Sequence, residues 1–241
     1  ILSVIDQTGD RATVFVTERA DGVNANGYVD PYTATVTGDA ASGELGRGIG
    51  LGDVDGDGDL DAFTANAYEG NRVWLNAGGG DFTDSGQSHG DRESLDVALG
   101  DLDGDGDLDA VIANYFQGNR VLLNNAGVFT DSEQDLGLRT SYSVALGDVD
   151  GDNDLDLFVA NSYQSNRVWL NDGGILTDSG QALGNHDSSS AALGDVDGDG
   201  DVDAFVANFN EPNRVWVNQN TTISIVPTAV IAAEGDAGVT T

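Results

Sequence analysis

Four nine-residue stretches of this chain place aspartate at every second position. The first carries Asp53, Asp55, Asp57, Asp59 and Asp61, and the second Asp101, Asp103, Asp105, Asp107 and Asp109. The third carries Asp148, Asp150, Asp152, Asp154 and Asp156, and the fourth Asp195, Asp197, Asp199, Asp201 and Asp203. Carboxylates at so short a spacing repel one another unless a counter-charge holds them, and a hard dication supplies it. Calcium takes about 6–8 oxygens and accepts a flexible, wrapped loop. Gly56 and Gly58 allow the tight curvature of such a wrap. Side-chain oxygens are expected from the first, third, fifth and ninth loop positions, and a backbone carbonyl from the seventh. One ion per loop would bring the formal net charge from −33 to about −25. That eases self-repulsion and adds binding free energy to folding stability.

Other chemistries find little support. With no Cys there is no disulfide framework, thiolate zinc site or cysteine nucleophile. His89 and His186 fall at different phases of the repeat, and no base–nucleophile pair or phosphate cradle accompanies them. A glycosidase would need paired carboxylates outside the metal loops, and none is found, so no catalysis is expected. Forty-two acidic against nine basic residues, all of the latter Arg, disfavour nucleic acid. No apolar run approaches the ~18 residues of a membrane span. The chain opens at Ile1 without the charged and apolar stretches of a signal peptide, so any such segment is expected to be removed or to lie outside it.

The elements that position the loops are read from the repeat itself. Leu51–Phe63, Leu99–Val111, Leu146–Phe158 and Leu193–Phe205 align without gaps, starting 48, 47 and 47 residues apart. Each leads through Ala-Asn and a polar turn to an Asn-Arg-Val strand beginning at Asn71, Asn119, Asn166 or Asn213. Three units continue into Thr-Asp-Ser at Thr83, Thr130 and Thr177. Runs are short, alternating and separated by Gly, Asn and Asp, which predicts strands and tight turns. In the second unit strands are expected at Leu95–Gly100, Ala110–Asn114, Arg120–Asn124 and Val128–Asp131. Four antiparallel strands in ~40–50 residues make one propeller blade. The expected fold is thus all-β, a β-propeller of four clear blades with calcium loops inside them. A degenerate fifth blade is expected at the N-terminus, with Val4–Asp10 laid over the acidic loop and Val14–Val16 on the next strand. The division is 1–226 for the propeller (1–45 degenerate, then 46–90, 91–137, 138–184 and 185–226) and 227–241 for a C-terminal extension or linker strand.

The loops resemble the calcium-binding FG-GAP repeats of the integrin α-subunit head and, still more, their bacterial VCBS relatives. Those families pattern as D-x-D-x-D-G-x-x-D, which the first, second and fourth loops satisfy; the third has Asn153 in place of glycine. An EF-hand is excluded, because no helices flank the loop and Thr64 stands at the twelfth position. The resemblance implies a β-propeller with calcium in loops joining strands within a blade. The family usually has seven blades, so a smaller propeller and part of a larger one both fit.

Arg72, Arg120, Arg167 and Arg214 recur at one phase and are expected to join carbonyls or carboxylates of neighbouring blades. Tyr68, Tyr115, Phe116, Tyr163 and Phe209 would gather at one face, as interblade packing or as a glycan site. In the tail, Thr221–Val226 reads as a strand, with Pro227 and Thr228–Ala233 after it. An unpartnered strand needs backbone partners; it could close the ring, dock on its own propeller or add to another copy. The functional expectation is a non-enzymatic extracellular or cell-surface calcium-binding protein for structure or adhesion, self-associating into a filament through terminal strands or meeting a protein partner. A carbohydrate-binding propeller and an accessory domain of a secreted hydrolase are the alternatives. Extracellular location follows from the metal, since such loops fill at about 10⁻⁴–10⁻³ M calcium.

Overall fold

The computed structural model describes residues 47–67, 69–90 and 93–218, together with the backbone of Ser3–Gln7, Arg11–Val16, Tyr32–Thr37 and Ile225–Ile231. Every regular element described is a strand, as short apolar runs bounded by Asn, Asp and Gly dictate. Ser3–Gln7 (β1), Arg11–Val16 (β2) and Tyr32–Thr37 (β3) form a three-stranded antiparallel sheet. Four four-stranded antiparallel sheets follow, one per acidic loop. The first holds Gly48–Gly52 (β4), Asp61–Ala65 (β5), Asn71–Asn76 (β6) and Phe82–His89 (β7). The second holds Ser94–Gly100 (β8) and Asp109–Asn114 (β9); beyond the small strand Gln117–Gly118 (β10) come Arg120–Asn125 (β11) and Val128–Asp131 (β12). Leu138–Arg139 (β13) pairs with β10 and leads into the third sheet. That sheet holds Ser141–Gly147 (β14), Asp156–Asn161 (β15), Arg167–Asp172 (β16) and Ile175–Asp178 (β17). The fourth holds Ser188–Gly194 (β18), Asp203–Asn208 (β19), Asn213–Asn218 (β20) and Ile225–Ile231 (β21).

The first strands of consecutive sheets pack side by side, β4 on β8, β8 on β14 and β14 on β18. Apolar side chains fill the space between the sheets. Val54, Phe63 and Val73 of the first meet Ile112, Leu122 and Phe129 of the second. Leu102 and Val121 meet Leu157, Trp169 and Leu176, and Phe158 and Val168 meet Val206 and Trp216. A polar ladder joins the second sheet to the third, and the third to the fourth, at the ends away from the acidic loops. Asn119 Nδ2 donates to Ser141 Oγ (3.0 Å), which donates to Asn161 Oδ1 (2.9 Å). Asn166, Ser188 and Asn208 repeat the arrangement one sheet later.

Both ends of the chain differ from the sequence reading. Of Val4–Asp10, aligned there with an acidic loop, Val4–Gln7 lie in a strand paired to β2, and Thr8–Asp10 lie outside the described residues. With Val4 and Thr8 at ligand positions nothing would hold a metal loop open, and Val4-Ile5 favours a strand. Of the strand expected at Thr221–Val226, Thr221–Ser224 lie outside the described residues; Ile225 and Val226 open a strand that continues to Ile231, so the expected boundary at 226/227 falls inside it. Pro227 is accommodated because β21 is an outer strand and its register shifts where Pro227 faces Trp216. The tail thereby supplies the outer strand that the other units build from Thr-Asp-Ser.

Phe158 is wholly buried between sheets, whereas Leu138 is 79% exposed. In urea unfolding, Phe158→Ala should cost about 3–5 kcal/mol and Leu138→Ala no more than about 0.5 kcal/mol. Equal losses would contradict the packing between sheets described above.

Candidate metal centres

Each acidic loop joins the first and second strands of its sheet, and its own carboxylates hold its backbone. Both oxygens of Asp53 accept N–H groups, from Gly56 (2.9 Å) and Gly58 (3.0 Å). Asp101, Asp148 and Asp195 do the same in their loops. Asp55 accepts from Asp57 N (3.2 Å), and Asp57 from Asp59 N (2.9 Å). The sixth position is left-handed, with φ of 97°, 96° and 97° at Gly58, Gly106 and Gly200. Asn153 takes the same turn at φ 77°, a conformation that asparagine tolerates.

The ninth-position aspartates are fully buried and tie each loop to its sheet. Asp61 accepts from Val54 N (2.9 Å) and from Asn76 N (2.8 Å). Asp109, Asp156 and Asp203 repeat both bonds. Seventh-position side chains turn elsewhere: Asp107 accepts from Ala126 N (2.7 Å) and Asp154 from Gly173 N (3.2 Å), in the hairpin of the same sheet.

Three carboxylates per loop bring one oxygen each to within 4.8 Å of one another. They are Asp53, Asp55 and Asp57; Asp101, Asp103 and Asp109; Asp148, Asp150 and Asp156; and Asp195, Asp197 and Asp199. Asp59, Asp61, Asp105, Asp107, Asp152, Asp154, Asp201 and Asp203 lie in the same loops outside these triads. At such a separation each like-charged pair costs on the order of 3 kcal/mol at an effective dielectric constant near 20. Burial, with the charges of Asp150 and Asp152 added, pushes the Asp156 carboxyl up to about 6 despite two backbone donors. Burial raises Asp61 and Asp109 too, with Asp55 and Asp103 respectively adding to it. Asp150 is raised by desolvation and by the charge of Asp152. Among the described residues the recurring Arg72, Arg120 and Arg167 do not answer these charges but pair with Asp84, Asp131 and Asp178. An all-oxygen donor set of crowded, poorly compensated carboxylates fits a hard dication.

A further set of residues was not assigned from sequence. Asn124 Nδ2 donates to Val54 O (2.8 Å), the second residue of the preceding sheet's loop. Asn171 reaches Leu102 O (2.8 Å) and Asn218 reaches Val149 O (2.7 Å). Each of the first three loops is therefore fastened to the next sheet by the same asparagine whose N–H binds that sheet's own ninth-position aspartate. Gly127 and Gly174 lie against these loops; a Cβ on either would stand 2.9 Å from Cβ of Asp55 or Asp103. The signal was present in the asparagine that closes every Asn-Arg-Val strand, 15 residues after the loop's last aspartate.

The arginines correct another expectation. The carboxylate partners of Arg72, Arg120 and Arg167 lie diagonally on the adjacent strand of the same sheet, where each Asp faces the residue two places after the Arg, and not on a neighbouring sheet. His89 is packed with Phe63 and Phe129 between the first two sheets, and His186 Nδ1 meets Glu211. Phe116, Tyr163 and Phe209 are exposed, so packing between sheets does not account for them; Tyr68 lies outside the described residues.

A four-stranded unit with an aspartate-rich loop between its first two strands, repeated and stacked, defines a class of acidic-loop sheet repeats. The model of the FG-GAP-like repeat matches residues 53–112, 101–159 and 148–206, and the chain belongs to that family. No curated protein matches it. Among solved structures it is similar to BBS1N in complex with ARL6DN, at 11% identity and a TM-score of 0.59, over 95% of this chain and 62% of that one. It is also similar to the V. cholerae biofilm matrix protein Bap1, at 20% identity and a TM-score of 0.50, over 90% of this chain and 35% of that one. Both likenesses concern the fold.

The raised carboxyls set a pH dependence. A folded-state pKa near 6, against 3.8 ordinarily, contributes stability below pH ~4 that is lost as pH rises through about 6. The melting temperature of metal-free protein should therefore fall between pH ~4 and ~7. Excess calcium should remove that fall, because the ion favours the ionised form. A metal-free melting temperature that rises over this range would contradict the assignment.

Proposed function

We propose that this protein is a non-enzymatic, calcium-stiffened β-propeller that serves structure or adhesion outside the cell. The observation that carries the reading is the set of four carboxylate triads at one phase of the repeat, three of whose loops are hydrogen-bonded to the next sheet. Asp53, Asp55, Asp57 and Asp61 and their counterparts would supply side-chain oxygens. The seventh residue would supply its carbonyl, because the side chains of Asp107 and Asp154 are engaged in the hairpin. Bound calcium screens the triads and fixes each loop, and through the asparagine clamp it stiffens the contact between sheets. Loops of this type fill at millimolar-range calcium, about 10⁻⁴–10⁻³ M, which favours an extracellular or cell-surface setting. Among the described residues no helix is long and apolar enough to cross a membrane. The matrix role printed for Bap1 accords with a structural part for this chain. Joining copies by exchange of the terminal strand would require β21 to leave the sheet in which it is paired.

A second reading rests on the exposed Phe116 and Tyr163. Both occupy the left-handed position of equivalent turns, at φ 54° and 50°, where the fourth sheet has Asn210 at φ 55°. A bulky aromatic in that conformation is strained and solvent-facing, as a ring presented to a sugar would be.

Calcium titration by calorimetry should give about four ions per chain, and Asp148→Ala with Asp150→Ala should remove one of them. Absence of binding heat defeats the reading. A glycan array on the calcium-loaded protein tests the second: hits lost on Tyr163→Ala support it, and an array without hits ends it.

A further inference from the structure

The register of the outer strands sets one arginine apart. In the first three sheets an aspartate stands on the outer strand: Asp84 faces Trp74, Asp131 faces Leu122 and Asp178 faces Trp169. Each of these carboxylates pairs with the arginine two places earlier on the third strand, Arg72, Arg120 or Arg167. In the fourth sheet the residue across from Trp216 is Pro227. Arg214 thus lacks the carboxylate that its three equivalents have, and it joins no ion pair among the described residues.

A second donor is left without an acceptor beside it. In the first sheet Trp74 Nε1 donates to Thr64 Oγ1 (3.3 Å). Thr64 faces Arg72, and in the fourth sheet Val206 faces Arg214, so the hydroxyl is replaced by a methyl. Trp216 is only 6% exposed, and its Nε1 has no partner. The Nε of Arg214 is likewise buried without one. Arg167 Nε shares that state, but its Nη1 is held by Asp178 and by Gln181 O (3.1 Å). Side chains two apart on a strand point the same way, so Arg214 and Trp216 present their donors on one side of β20. Burying such groups without an acceptor is costly.

The surroundings repeat those of a cleft elsewhere in the chain. Between the first two sheets, Asn71 and His89 face Arg120, Leu122 and Asp131 across a small cavity. The same positions of the third and fourth sheets hold Asn166, Leu183, Arg214, Trp216 and Pro227. The parts recur with the carboxylate omitted.

We propose that Arg214 and Trp216 form a binding site for a carboxylate, seated across from Trp216 where the other sheets carry their own aspartate. One oxygen accepts from the Arg214 guanidinium, whose fork suits a carboxylate, and the other from Trp216 Nε1. The carboxylate belongs to a separate molecule or to Glu234 or Asp236, which lie outside the described residues. The site goes beyond the structural role proposed above and does not depend on calcium.

The chain has three tryptophans, so the indole N–H region of a ¹⁵N NMR spectrum reports on each, with Trp216→Phe assigning the signal. Titration with sodium acetate, against equal sodium chloride, should move the Trp216 signal saturably and leave that of Trp74, already bonded to Thr64, in place. Arg214→Gln should weaken the response about tenfold while keeping three dispersed indole signals. Pro227→Asp, which supplies the carboxylate within the sheet, should shift the Trp216 signal as acetate does and abolish the titration. A response that appears only in Glu234→Gln with Asp236→Asn assigns the occupant to the chain itself. A Trp216 signal that stays still in both backgrounds, or that responds equally to chloride or in Arg214→Gln, overturns the inference and leaves the metal reading untouched.

Discussion

The constraint that governs this molecule is the crowding of carboxylates in its four acidic loops. Each loop turns its own aspartates inward onto its backbone, so the charges that repel one another also supply the hydrogen bonds that shape the turn. The buried ninth-position aspartate sharpens the conflict. It lies out of water with two backbone donors, and burial makes its ionised form costly. No lysine exists in the chain to answer the charge, and Arg72, Arg120 and Arg167 are engaged between strands of their own sheets. A dication is the economical solution, because one small ion faces three carboxylates at once.

The loops also stand where the sheets meet, so their geometry and the packing between sheets are not separate matters. The asparagine that binds the ninth-position aspartate through its backbone reaches the preceding loop through its side chain. Any disturbance of one loop is therefore felt at two sheets. The opposite ends of the sheets are held by neutral Asn–Ser ladders, which owe nothing to metal. Removing the ion should loosen one end of each interface and leave the other intact.

Much of the fold was legible because turn chemistry and strand chemistry are cleanly separated in this sequence. The second unit's strands fall within one residue of expectation, since Gly, Asn and Asp bracket runs of Val, Leu, Ile and Ala. The N-terminal unit was misaligned because its ligand positions have decayed, and with them the only strong marker of phase. The tail strand was ended too early because Pro227 reads as a stop, whereas an outer strand tolerates it at a register shift. The loop aspartates announced a cluster, but two features needed the third dimension. One is the turning of Asp107 and Asp154 toward a hairpin, and the other is the reach of Asn124 to a carbonyl 70 residues away. Periodicity tells which residues are equivalent, not which sheet an equivalent residue faces.

The FG-GAP-like repeat thus supplies a scaffold in which four clusters of carboxylates that could hold a metal ion recur at one phase of the sheets. The most direct test of the central claim is an anomalous difference map from crystals grown with calcium. The account predicts one peak inside each acidic loop, within bonding distance of the first-, third- and fifth-position carboxylates and the seventh carbonyl. Loops that keep this shape with no peak among their carboxylates would contradict it.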